Sequence, residues 1–193
     1  EYIELKLQEL TNSDVRIGDF FDLIVGTSTG GILTCIYTFP DEDGKPKFSA
    51  KEASELYLNN GSEIFSSTFI YKVRSIFSYH RPKYDGKNFE KLLKEYFGDV
   101  RLDKATTNMM LTSVNTNNSG LYLFKSLKAK SNVNDNYTFF EGARSTSAAP
   151  SYFPSFRLYN KGKELSLIDG GMSINNPAVV SYVEAEKIFD TDR

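Results

Sequence analysis

Apolar residues recur at Ile3, Leu7 and Leu10, the spacing of one helix face, so residues 1–11 are expected to form an amphipathic helix. Thr11-Asn12-Ser13-Asp14 closes it with turn chemistry. Phe20 to Val25 is then a short, nearly continuous apolar run of strand length. It stops at Gly26-Thr27-Ser28-Thr29-Gly30-Gly31, after which Ile32 to Phe39 reads as a helix and Pro40 to Pro46 as a polar loop. Ser49-Ala50-Lys51-Glu52 has the spacing of a capping box, opening a helix expected to reach about Asn59. Residues 61–84 are aromatic and lack a clear period. Asp85 is placed to cap a helix that carries Phe89, Leu92, Leu93 and Phe97 and stops at Gly98. Met109–Asn115 and Leu121–Ser126 read as strands, 128–136 as an Asn-rich loop, and Phe139–Ala149 as a helix ended by Pro150. Leu165–Ile168 is a strand running into Asp169-Gly170-Gly171, and Pro177 suits the first turn of a last helix reaching about Phe189. Strands therefore alternate with helices. The expectation is a single domain over 1–193, a three-layer α/β/α sandwich around a largely parallel sheet. Ligands of such sheets bind beyond the carboxyl ends of the strands, where both Gly-rich clusters fall.

Composition narrows the chemistry. The 193 residues are 40% hydrophobic and 25% charged, with a net charge of -2, which suits a globular core and gives no electrostatic case for nucleic acid. Cys35 is the sole cysteine, so a disulfide within the chain and a cysteine-based zinc site are excluded. The lack of disulfides fits a reducing, cytoplasmic compartment, with membrane association or export left open. No run approaches the about 18–20 apolar residues that cross a bilayer.

Gly26-Thr27-Ser28-Thr29-Gly30 fits G-x-S-x-G, the nucleophile elbow. A strand must turn sharply into a helix with the serine at the apex, and crowding at that turn favours glycine two residues before and two after. The serine oxygen then stands at a helix N-terminus, where free N–H groups favour negative charge and Thr29 N–H is the expected oxyanion donor. Two other readings fit the same residues. Ser28 merely caps the helix, or the loop cradles a phosphate, although G-x-x-x-x-G-K-[ST] and G-x-G-x-x-G are both absent.

A serine hydroxyl needs a base, usually histidine. The one histidine, His80, sits in a polar stretch and precedes the late acid candidate, contrary to the Ser, acid, His order of α/β-hydrolases. Asp169 is the other option, a carboxylate at a strand end whose following glycines admit a close neighbour. Burial would raise its pKa into a useful range, whereas a plain Asp-Gly turn would leave it inert. A histidine beyond Arg193 would instead give an ordinary Ser-His-Asp esterase.

Taken together, Gly26-Thr27-Ser28-Thr29-Gly30-Gly31 and Asp169-Gly170-Gly171 resemble the patatin-like phospholipases. Lys83-Tyr84-Asp85-Gly86-Lys87, the stretch from Ala143-Arg144-Ser145-Thr146 to Tyr152-Phe153-Pro154, and Asn175-Asn176-Pro177 resemble further segments of that family. The resemblance implies a patatin-like α/β fold and a Ser–Asp dyad of Ser28 and Asp169 without histidine. It implies a lipid acyl hydrolase that needs no metal, and no cofactor is expected. Gly26, Thr27, Thr29, Gly30, Gly31, Gly170 and Gly171 are the expected substrate-binding residues. Partners would be a phospholipid or other glycerolipid and, peripherally, a membrane surface. The family's Asp-Gly-Gly-Gly-x-Arg-Gly oxyanion loop has no counterpart after Glu1 and the chain stops soon after the Pro177 helix, so it is expected to be a domain cut at both ends, inactive unless that loop is supplied. The alternative is an inactive module of the same fold that binds lipid or phosphate. Cys35 reads as a small buried side chain, Arg144 as half of a structural ion pair, Lys125, Lys128 and Lys130 as a solvated face, and the aromatic cluster in 65–79 as either core or a lipid-facing lid.

Overall fold

The computed structural model describes residues 1–64 and 86–189, with the backbone alone for 60–64. The aromatic cluster in 65–79, His80 and Asp85 lie outside the described residues. The strands are β1 (Leu23–Thr27), β2 (Asn108–Asn115), β3 (Gly120–Lys125), β4 (Phe156–Asn160) and β5 (Lys163–Asp169). The helices are α1 (Tyr2–Thr11), α2 (Thr29–Thr38), α3 (Ala50–Ile64), α4 (Lys87–Phe97), α5 (Ser126–Ser131), α6 (Phe139–Thr146) and α7 (Ala178–Phe189).

β2 is the middle of the sheet. One of its edges pairs antiparallel with β3, from Met110↔Lys125 to Asn115↔Gly120. Both β1 and β5 overlap that stretch in register, so they must share the opposite edge. β1 runs parallel to β2 and ends at Thr27↔Thr112, and β5 runs antiparallel and ends at Ser113↔Asp169. The two strands approach head-on, and their carboxyl ends meet at consecutive residues of β2. β4 joins β5 through Lys161-Gly162, both at positive φ (51° and 75°), the conformation of a tight two-residue hairpin. The α/β reading holds with a mixed sheet. β1–β2 is the parallel pair among the described strands, and the two hairpins add antiparallel partners.

Helices cover both faces. Met109 and Leu111 point to one side, where Met109 Sδ receives the Thr38 hydroxyl of α2 and Leu111 touches Gly142 of α6. Met110 points to the other, and its register partner Lys125 reaches Glu184 of α7 at 2.5 Å. The main core lies on the first side, where Phe39, Phe97 and Phe139 form an aromatic cluster with ring centroids 5.1–6.1 Å apart. Cys35 is fully buried there, and burial pushes its thiol pKa well up, as expected of a packing residue.

Several local expectations change. In α1, Ile3 and Leu10 are exposed, and the buried residue is Glu4. Its carboxylate accepts from Ile17 N (3.1 Å) and Ala50 N (2.8 Å), so it satisfies the free first-turn amide of α3. α4 starts from Gly86 at φ 80° with no side-chain cap. α3 runs past Asn59, α6 stops at Thr146, and α5 occupies part of the expected Asn-rich loop. Lys128 and Lys130 are exposed, as expected of a solvated face, with Lys128 3.1 Å from Asp135, whereas Lys125 is half-buried and paired with Glu184. The capping box at Ser49 and Glu52 forms as read, and Arg144 forms its ion pair, with Glu90 at 3.0 Å.

Candidate active site

Ser28 stands between β1 and α2 as the helix N-cap, at φ 57° and ψ −124°. A side chain rarely adopts this conformation, which costs on the order of 1–3 kcal/mol and persists only where the surroundings enforce it. Three contacts do so. A Cβ on Gly26 would run into the Gly30 carbonyl and the Thr34 hydroxyl, so the chain can fold back this tightly only with glycine there. Ile32 N donates to Ser28 O at 3.1 Å, and Ser28 N donates to Thr146 Oγ1 at 2.9 Å. The expectation that crowding demands glycine on both flanks is corrected at Gly30. Among the described residues a Cβ there would meet nothing within 4 Å, and Gly30 supplies the carbonyl that crowds Gly26. Thr29, Gly30 and Gly31 form the first turn of α2, whose amides have no intrahelical acceptor and carry the positive end of the helix dipole. The Tyr57 hydroxyl steadies this turn by donating to Thr29 O at 2.8 Å.

Asp169 closes β5 opposite this turn. Ser28 Oγ donates to Asp169 Oδ2 at 2.5 Å, and Gly171 N donates to Oδ1 at 2.7 Å. The carboxylate is buried. Desolvation pushes its pKa up, against the opposing pull of the Ser28 and Gly171 hydrogen bonds. Gly170 is pressed onto Thr112, where a Cβ would strike both the hydroxyl and the carbonyl. Thr27 Oγ1 lies 2.7 Å from Thr112 Oγ1 and donates to Ile174 O at 3.0 Å. Its one proton goes to that carbonyl, so Thr112 is the donor between the two hydroxyls. This chain ties β1 and β2 to the turn after Asp169.

The structure thus brings Ser28 and Asp169 into contact. Of the seven glycines and threonines expected around them, Gly26, Thr27 and Gly170 are buried against neighbours and hold the two turns in place. Thr29, Gly30 and Gly171 are at least partly open, and Gly31 packs on Thr146. Sequence reasoning missed Tyr57, Thr112 and Thr146. Thr146 lay within the Ser-Thr-Ser-Ala-Ala-Pro segment, but nothing local to it signals a bond across 118 residues. An open cavity of about 310 Å³ near Asp19, Asp22 and Lys45 is at the other end of β1, away from the strand carboxyl ends where ligands of α/β sheets bind. Among the described residues no cluster of His, Cys, Asp and Glu is arranged to hold a metal, and no helix is long and apolar enough to cross a membrane.

An α/β sheet with a strained serine at a strand-to-helix turn and an aspartate hydrogen-bonded to it defines the class. The chain belongs to the patatin-like phospholipase family, whose model matches residues 5–181. It is 36% identical over 194 residues to patatin-like protein 2 of Oryza sativa subsp. indica, covering 96% of this chain and 48% of that protein. It is 37% identical over 200 residues to patatin-2-Kuras 3 of Solanum tuberosum, covering all of this chain and 50% of that protein. Patatin-like protein 2 of Arabidopsis thaliana matches at 36% over 95% of the chain. The chain spans about half the length of these relatives.

Proposed function

We propose that the protein is a serine acyl hydrolase that cleaves glycerolipid esters with Ser28 as nucleophile and Asp169 as base. The 2.5 Å hydrogen bond from Ser28 Oγ to Asp169 Oδ2 carries this reading. Asp169 takes the Ser28 proton as Oγ attacks the ester carbonyl. The tetrahedral oxyanion faces the start of α2, where Thr29 N–H has no acceptor among the described residues and can donate. Collapse expels the alcohol, which leaves with the proton from Asp169, and the acyl group remains on Ser28. Asp169 then deprotonates a water that attacks the acyl-enzyme, and the proton returns to Ser28 on release. No described residue fills the space beside Gly30, which leaves room there for an ester. Substrate held in a bilayer would require peripheral contact with its surface, and nucleic acid has no part in the reaction.

A fluorophosphonate probe tests the nucleophile. The full chain is expected to gain the mass of one adduct, and Ser28→Ala none. An unlabelled but folded wild-type chain would point to a lipid- or phosphate-binding module instead.

The pH profile follows from the raised pKa of Asp169. The base works only when deprotonated, so kcat/KM is expected to rise with pH along an acid limb above the usual aspartate value of about 4. Stability runs the other way. Between the unfolded and the folded pKa the native state binds more protons, so this group's contribution falls as pH rises through that window, then levels off. An acid limb that persists unchanged when a minor residual activity of Asp169→Asn is measured would assign it to another group.

A further inference from the structure

Thr146 takes no part in the scheme above, yet it touches the nucleophile turn twice. It is fully buried at the end of α6. Its Oγ1 accepts the Ser28 amide at 2.9 Å. That amide lies past the last β1–β2 register pair, Thr27↔Thr112, and ahead of the α2 ladder, so neither the sheet nor the helix provides it an acceptor. The Thr146 methyl packs on Gly31, where a Cβ would come within 2.6 Å of Cγ2. α6 is a firm platform for these contacts. It opens with a Thr138–Glu141 capping box, and the Arg144 guanidinium is held by Glu90, by the Pro154 carbonyl (3.2 Å) and against the rings of Phe89, Phe153 and Phe156.

We propose that Thr146 is the positioning residue of the nucleophile: its hydroxyl oxygen holds the Ser28 amide and thereby keeps Oγ in line with Asp169. The inference rests on the Ser28–Asp169 reading. The bond fixes the peptide between Thr27 and Ser28, and with it the positive φ that turns Oγ toward the carboxylate. It also occupies the Ser28 N–H, which leaves Thr29 N–H as the donor for the oxyanion.

The test compares Thr146→Val, which keeps the shape and removes the acceptor, with Thr146→Ser, which keeps the acceptor. Five quantities are measured on the full chain: melting temperature, kcat and KM on a soluble nitrophenyl ester, fluorophosphonate adduct rate, and hydrogen exchange of the Ser28 amide. In Thr146→Val, kcat and adduct rate are expected to fall roughly tenfold to hundredfold with KM little changed, and the Ser28 amide to exchange faster. Thr146→Ser is expected to stay within about threefold of wild type on every count, because the bond is retained. Thr146→Ala against Thr146→Ser isolates the same oxygen if the valine variant does not fold. Wild-type kcat in the valine variant, or equal losses in the serine and alanine variants, would overturn the proposal. A wild-type chain with neither turnover nor adduct removes the catalytic reading itself, and the exchange data would then describe a packing contact alone.

Discussion

Asp169→Asn is expected to lower ester turnover by roughly 10³–10⁴ while the protein stays folded. The asparagine retains an oxygen for the Gly171 amide but cannot take the Ser28 proton. That fold-loss corresponds to about 4–5.5 kcal/mol of lost transition-state stabilisation. Structure should survive because the native state holds Asp169 against a desolvation cost that the neutral amide avoids. The melting temperature at neutral pH is therefore expected to equal or exceed that of wild type. His80→Ala is the companion measurement, and it is expected to leave kcat nearly intact. A large loss in that variant, or wild-type turnover in Asp169→Asn, would remove the dyad assignment.

Gly26→Ala and Gly30→Ala should behave oppositely although the two glycines flank Ser28 symmetrically. At Gly26 the added methyl meets the Gly30 carbonyl group, which is backbone and cannot rotate away. The turn must open, at a cost of about 1–3 kcal/mol or more in stability. An ångström of displacement between Ser28 and Asp169 would lower the adduct rate on the order of 10²-fold. At Gly30 the methyl meets none of the described residues, in a helix where alanine is favoured over glycine by about 1 kcal/mol. That variant is expected to fold at least as well as wild type. Urea midpoints and fluorophosphonate rates check both, and equal destabilisation at the two positions would contradict the geometry.

The two halves of the candidate site were legible because each is a local device. A strand-ending Gly-x-Ser-x-Gly dictates its own turn, and Asp-Gly-Gly ends a strand recognisable by its apolar run. Most helices were also readable from period and caps, as at Ser49–Glu52. The contacts between segments were hidden. Nothing near Thr146 or Thr112 encodes that a hydroxyl there will meet Ser28 or Thr27, because those bonds depend on how β1, β2, β5 and α6 assemble. The hairpin strand β4 was missed for a related reason. Phe156-Arg157-Leu158-Tyr159-Asn160 alternates, but over too few residues to stand apart from a loop until β5 pairs with it. In α1, periodicity pointed Ile3 and Leu10 inward, and the two backbone amides captured by Glu4 decided otherwise. Polar anchoring of that kind leaves no mark on a hydrophobic pattern.

The head-on meeting of β1 and β5 also has a consequence for biosynthesis. Ser28 leaves the ribosome 141 residues ahead of Asp169. At 5–20 residues per second, that interval is roughly 7–28 s. On the proposed dyad, the nascent polypeptide would carry the Ser28 hydroxyl without its base during that interval. Turnover through that dyad would have to wait until β5 docks beside β1, so an aborted translation product ending before β5 would lack the base.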